Sequence, residues 1–413
     1  MPVQTTQLEN GLTLLVESIP EVQSAAFSLL LPAGSAYESE GANGTAAALC
    51  DWMFRGAGSR SHRELSAACD ALGLQAHESV TSSHLVFQGA CLASQLREVL
   101  ALYGDIVRRP TLPEDQFEAT LQGVAQSLMS LEDDPRQKVM VELTRRCFPH
   151  PWNRPPEGSL EDLEELTPES IHEHFLNCVS PREAILGVAG NVSFDEVLQT
   201  VQLVYGDWEP TGDAPALVAQ PGSVKSDHLS QESTQTQIGV AYRAVPYRHP
   251  DYYAAWAAVN ILSGGMSSRL NTEVREKRGL CYSVYATLSS LRDAGFVLCY
   301  AGTTNERAAE TLEVLLGELA RLSEGVGEDE LRRCQARAKS ALIMSQESTS
   351  ARAGSIARDW YHRRRVMSLE EIRRKIEALT PQHVLEYVHS YPAADFTVLT
   401  IGPEAISVEP RRE

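Results

Sequence analysis

An internal repeat constrains this chain more than any other feature. Thr167-Pro168 lies in LTPESIHEHF, which leads into AILGVAGNV, and Thr380-Pro381 lies in LTPQHVLEYV, which leads into FTVLTIG, an offset of 213 residues. In both copies Thr suits the N-cap and Pro the first helical position, followed by an amphipathic helix and a β-branched strand. A second pair, VFQGACLASQLREVLALYGDI from Val86 and VLCYAGTTNERAAETLEVLLGEL from Val297, repeats at an offset of 211. Each member reads as a strand, a small-residue turn and an amphipathic helix. Two matches at nearly one spacing imply duplicated halves. The join falls in the Pro, Gly and Ala stretch TGDAPALVAQPGSV, which predicts an N-terminal domain at 1–210, a linker at 211–224 and a C-terminal domain at 225–413.

Strand alternation in GLTLLVES and AAFSLLLPAG, followed by Ala-rich and capped helices, predicts an α+β class in which each half is an antiparallel sheet covered by helices. Ser61 with Glu64 fits a capping box, and Gly73 fits the stop of that helix. The chain has 413 residues, more than one core usually supports, and 43% of them are hydrophobic, so two sizeable cores are expected.

A net charge of −19 argues against nucleic acid, because phosphate binding needs a surplus of Lys and Arg. A solvated acidic surface is the plainer reading, although such charge also attracts basic peptides. The eight cysteines are scattered with no C-x-x-C pair, as expected of reduced thiols in a cytoplasmic protein. Residues 1–5, MPVQT, show no basic stretch leading into an apolar one, and no apolar run reaches membrane-spanning length, so neither export nor anchoring is expected.

Five segments in one order carry a family resemblance: LENGLTLLVESIP, PAGSAYESEGANGTAAALCDWMFRGAGSRS, LEDDP, VAGNVSFDEV and NILSGGMSSRLNTEVREKRGLCYSVYA. Together the chain resembles the pitrilysin or insulinase family of inverzincin metallopeptidases, especially its short bacterial members and the subunits of the mitochondrial processing peptidase. That resemblance implies a clamshell-half fold and an inverted zinc motif, H-x-x-E-H, in the helix that here reads GTAAALCDWMF. The motif's spacing sets two imidazoles on one helix face to grip the metal, with the Glu placed to activate water. Ala47, Cys50 and Asp51 stand at those positions, and the family's distal Glu ligand falls near Ser127, beside Gln126. Ala cannot ligate, and losing all three ligands and the base predicts a chain without a zinc site of its own. Cys50 and Asp51 are adjacent, so a buried thiol and an exposed or capping carboxylate is a simpler reading than a new site. His172 and His174, two apart on a predicted helix, point in different directions and are expected to be ordinary surface histidines.

A different family feature is kept. In active members an Arg and a Tyr from the half without zinc reach the substrate, and the matching residues are Arg275 and Tyr282, seven apart in REKRGLCY. Taken alone, such residues are usually surface charge or packing, but within the intact block the resemblance favours function. The Gly264-Gly265 turn lacks the phosphate-loop pattern and is expected to be a flexible chamber loop. The whole implies the non-catalytic subunit of a heterodimeric zinc peptidase, with no cofactor in this chain. Zinc would belong to a paralogous H-x-x-E-H partner that shares an unfolded peptide substrate, and Arg275 and Tyr282 would act in trans. The alternative is a catalytically dead structural or peptide-binding homologue, similar to core subunits of a respiratory complex.

Overall fold

A computed structural model describes residues 3–210, 212, 216–220 and 226–406. Much of the expected linker, at 211, 213–215 and 221–224, therefore lies outside the described residues. The chain divides into two packing units, the first made of Met1–Ser130, His150–Ala219 and Ile343–Ser368, and the second of Leu131–Pro149, Gln220–Leu342 and Leu369–Glu413. The sequence-continuous domains 1–210 and 225–413 are thus corrected. Each half gives up one helical segment to the other unit.

In the first unit, β1 (Gln4–Gln7), β2 (Thr13–Ser18), β3 (Ser24–Leu31), β6 (Gln75–Val80), β7 (Leu85–Leu92) and β8 (Ile185–Gly190) form one sheet in the order β1-β2-β8-β3-β7-β6. Two short strands, β4 (Gly56–Ala57) and β5 (Arg60–Ser61), pair as a separate hairpin. All neighbours in the large sheet are antiparallel except β2 and β8, which run parallel. Period-two alternation divides the buried side chains between two faces. Leu14, Val16, Phe27, Leu29, Leu186 and Val188 enter the main core under the Thr45–Trp52 and Leu96–Arg108 helices. Leu15, Leu30 and Ile185 point the other way, against Ile356 and Ala357 of the Thr349–Arg363 helix.

That helix comes from the second half of the sequence, and the sheet is built to receive it closely. Ala26 and Ala189 pack on Ala353, and a Cβ on Gly187 would lie 2.5 Å from the Ala353 carbonyl oxygen. Arg352 fixes the helix through Nε and Nη2, both 2.8 Å from Oε2 of Glu17 on β2, with both side chains almost entirely buried.

In the second unit, β9 (Ser226–Ser230), β10 (Gln235–Ala244), β11 (Cys281–Ser290), β12 (Gly295–Thr304) and β13 (Thr397–Gly402) take the order β11-β12-β10-β13-β9. This repeats β6-β7-β3-β8-β2, and the parallel pair recurs as β13 with β9. Ile238, Val240, Val297, Cys299 and Val398 face one core. Ala241, Leu298, Leu399 and Ile401 face another, closed by Val139, Leu143 and Phe148 from the Pro135–Cys147 helix and the residue after it. Val139 and Leu143 are fully buried, and each such side chain contributes about 1.5–3 kcal/mol. Gly239 does here what Gly187 does in the first sheet, since its Cβ would meet Val139 at 3.2 Å.

The repeat's caps form as expected. Thr167 accepts from the Ser170 amide and Thr380 from that of His383, each followed by Pro at the first turn. Ser61 and Glu64 make the reciprocal capping box, and Gly73 follows that helix in the left-handed region at φ +58°.

Candidate functional site

The Thr45–Trp52 helix starts from Gly44 in a left-handed conformation at φ +111°, where no side chain can cap it. Glu38 supplies the missing acceptor: its Oε1 takes the Gly44 amide at 3.2 Å and the Ala46 amide at 2.8 Å. Burial raises this carboxyl to about 8, against the lowering pull of the two amides and Arg154.

Ala46, Ala48, Leu49 and Trp52 anchor the helix in the core. Ala47 presents a methyl group, which has no donor atom. Cys50 is 7% exposed, and burial, with Glu78 and Asp51 adding to it, raises its thiol to about 12. A metal ligand would have to be the thiolate. The Asp51 carboxylate is engaged at 2.9 Å by Nε of Arg55, one turn on. Arg55 Nη2 also lies 3.9 Å from where a Cβ on Gly123 would be, so a fixed positive charge reaches the Phe117–Glu132 helix. On that helix Ser127 is exposed and its Oγ donates to the Gly123 carbonyl at 3.1 Å. These donors do not fit zinc. Among the described residues no three His, Cys, Asp or Glu side chains are grouped to hold a metal ion.

His172 is exposed as expected, but His174 corrects the surface assignment. His174 is 7% exposed, with Nε2 donating to the Ala33 carbonyl at 3.1 Å and Nδ1 3.7 Å from Cys178 Sγ. Burial lowers the imidazole to about 4 and raises the thiol to about 12. The pair is therefore neutral, without the thiolate and imidazolium that a nucleophilic cysteine needs.

In the second unit, Arg275 sits on a π-helical segment, Asn271–Glu276, a local widening often found at functional sites. Gly279, at φ +59°, reverses the chain into β11, its amide bonding the Arg275 carbonyl at 3.0 Å. The β11 register then shifts between Cys281 and Ser283, so Tyr282 is the extra residue of a β-bulge, unpaired and re-aimed outward. Tyr282 is 87% exposed, and Arg275 Cζ stands 5.5 Å from its ring centroid.

A third residue, missed in the sequence, steadies this pair. Asn271 is 8% exposed; its Oδ1 accepts from Arg275 Nη1 at 3.4 Å, and its Nδ2 donates to the Met266 carbonyl and to Glu276. The i, i+4 spacing of Asn271 and Arg275 on a helix was the available signal.

Comparison with known proteins identifies the family. The insulinase (peptidase family M16) model matches residues 13–154, and the peptidase M16 inactive-domain model matches 165–338. A Bacillus subtilis protein named as the uncharacterized zinc protease YmxG is 25% identical, over 96% of this chain and 97% of its own length. An uncharacterized zinc protease of Mycobacterium tuberculosis is 26% identical over 96% of this chain and 92% of its own. Among solved structures, a Helicobacter pylori protease superposes with a TM-score of 0.92 at 20% identity, covering 97% of this chain and 99% of that one. A peptidase M16 inactive domain from Pseudomonas fluorescens gives 0.90 at 21% identity, covering 99% of both chains. The two family models follow one another along most of the sequence, and the chain belongs to the M16 insulinase, or pitrilysin-type, peptidase family.

Proposed function

We propose that this chain is the non-catalytic subunit of a heterodimeric zinc peptidase, acting in the cytoplasm beside a paralogous subunit that carries H-x-x-E-H. The observation that supports this most is the contrast between the two units. Ala47, Cys50, Asp51 and Ser127 form no donor set for a metal, whereas Arg275 and Tyr282 are held together with the phenol open to solvent. The bulge leaves the Tyr282 ring 87% exposed beside the guanidinium, so its hydroxyl is free to reach a substrate.

In this reading zinc resides in the partner, where it would supply the activated water. The contribution of this chain is charge and position. The Tyr282 hydroxyl donates a hydrogen bond to the peptide carbonyl oxygen as that oxygen gains negative charge. The Arg275 guanidinium holds substrate backbone and adds positive charge, with Asn271 limiting its swing. The inactive-domain model over residues 165–338, and relatives named as zinc proteases, support a place in peptidase biology. No helix among the described residues is long and apolar enough to cross a membrane.

Co-expression with the zinc-bearing paralogue tests the proposal. A stable one-to-one complex whose peptidase activity requires this chain is expected. Separate elution, with full activity in the partner alone, leaves the scaffold alternative.

A further inference from the structure

A second site lies in the second unit, where the turn after the Tyr252–Ser263 helix meets the Glu328–Gln346 helix. The half-open pocket between them has a cavity volume of about 30 Å³ and is lined by Gly265, Ser267, Ser268, Glu330, Arg333 and Arg337. Its chemistry is one-sided. Arg333 and Arg337, one helical turn apart, have no carboxylate within ion-pair distance among the described residues, in a protein whose net charge is −19. Glu330 is already committed: its two oxygens take Nε and Nη2 of Arg269 at 2.7 Å each, and one also takes the Gly327 amide. Against burial, which raises it, the Arg269 pairing, the Gly327 amide and the nearby Arg333 charge hold the Glu330 carboxyl below its usual range.

The remaining groups are donors without acceptors. Ser268 is 8% exposed and lines the pocket, yet its hydroxyl has no partner among the described residues. The amides of Gly265 and Ser267 likewise meet no acceptor there. Arg337 Nη1 lies 2.1 Å from where a Cβ on Gly265 would sit, so the guanidinium lies against the turn in space that a side chain at 265 would make it leave. The Ser268 hydroxyl, two backbone N–H groups and the exposed Arg333 and Arg337 guanidinium groups, the first of them beside Glu330, line the site with donors suited to a small planar anion.

We propose that this pocket binds a peptide carboxylate, either an acidic side chain or a free C-terminal α-carboxylate. Guanidinium groups match the planar geometry of a carboxylate. The peptide part of the assignment rests on the function proposed above, but the anion part does not. The pocket also lies beside the pair already described, because the Met266 carbonyl on its turn is held by Asn271, the residue that accepts from Arg275.

Calorimetric titration of the full chain, without any partner, tests the assignment with three peptides of one neutral sequence. The first carries a single Glu and an amidated C-terminus, the second no acid and a free C-terminus, and the third no acid and an amidated C-terminus. Saturable binding of the first or second, about tenfold tighter than the third, is expected, and whichever binds identifies the carboxylate's source. Arg333→Gln with Arg337→Gln should abolish that difference, and Ser268→Ala should reduce it by a few-fold. Equal affinity for all three peptides, no saturable binding up to millimolar, or an unchanged preference in the double variant overturns the proposal. Inorganic phosphate displacing the peptide more strongly than acetate overturns the carboxylate assignment. Because the isolated chain is used, failure of the heterodimer reading would leave this result intact, and the reverse also holds.

Discussion

The guanidinium carbon of Arg275 stands 5.5 Å from the ring centroid of Tyr282, close enough for the cation to share the ring's face while the phenol stays in solvent. The contact joins a π-helical segment to a β-bulge, two local irregularities that regular structure would not place together. Both residues are thereby aimed without being buried.

In the assembled complex, Tyr282→Phe removes only the hydroxyl. It should lower kcat by about 10²-fold with little change in KM, as expected for a donor used mainly as charge develops. Arg275→Ala should affect both constants, because a guanidinium also holds ground-state backbone. Asn271→Leu should resemble a milder Arg275→Ala, and none of the three should alter the complex's zinc content. Steady-state kinetics and metal analysis separate these outcomes.

The isolated chain should hold no stoichiometric zinc and cleave no peptide. With its thiol raised to about 12, Cys50 should also resist alkylation in the folded protein near neutral pH and react only on unfolding. Ala47→His, Cys50→Glu and Asp51→His together should not restore activity, because Ser127 still stands where the distal Glu would be. One equivalent of metal lost to a chelator along with activity would contradict this.

Arg352 and Glu17 hold the Thr349–Arg363 helix on the first sheet at 2.8 Å. Arg352→Ala leaves a buried, unpaired carboxylate and should cost about 3–5 kcal/mol in denaturant unfolding. Glu17→Gln with Arg352→Met should recover most of that loss. If Arg352→Ala unfolds at the wild-type midpoint, the helix is held by apolar packing alone.

Glu38 gives a pH signature. Its folded-state value near 8 lies above the ordinary 4.5, so between those limits the native chain binds more protons than the unfolded one. Its contribution to stability is therefore full below about pH 4.5 and is lost as pH rises through about 8. Glu38→Gln keeps an acceptor for the Gly44 and Ala46 amides and removes the titration. The variant's Tm relative to wild type should be higher at pH 9 than at pH 5.5. A constant difference across that range would contradict the assignment.

Much of the fold was legible because its signals are local. Thr167 and Thr380 cap helices wherever those helices pack, and the offset repeat anticipated two matching sheets. The exchange of the Pro135–Cys147 and Thr349–Arg363 segments was not legible, because amphipathic periodicity says that a face is buried and not which sheet buries it. Gly187 and Gly239, each flanked by apolar residues in its strand, were the traces of close helix approach. His172 and His174 do point apart as their spacing requires, but spacing could not say that one direction is the core. At the candidate site, Arg275 and Tyr282 came from a motif, whereas Asn271 and the bulge needed the folded backbone.

The most direct test of the central claim is turnover of a quenched peptide by the zinc-bearing paralogue as this chain is titrated in. The account predicts activity that rises to a plateau at one equivalent, with the Arg275→Ala, Tyr282→Phe double variant forming the same complex but leaving turnover at least about 10²-fold lower. Full turnover without this chain, or an undiminished plateau with the double variant, would contradict it.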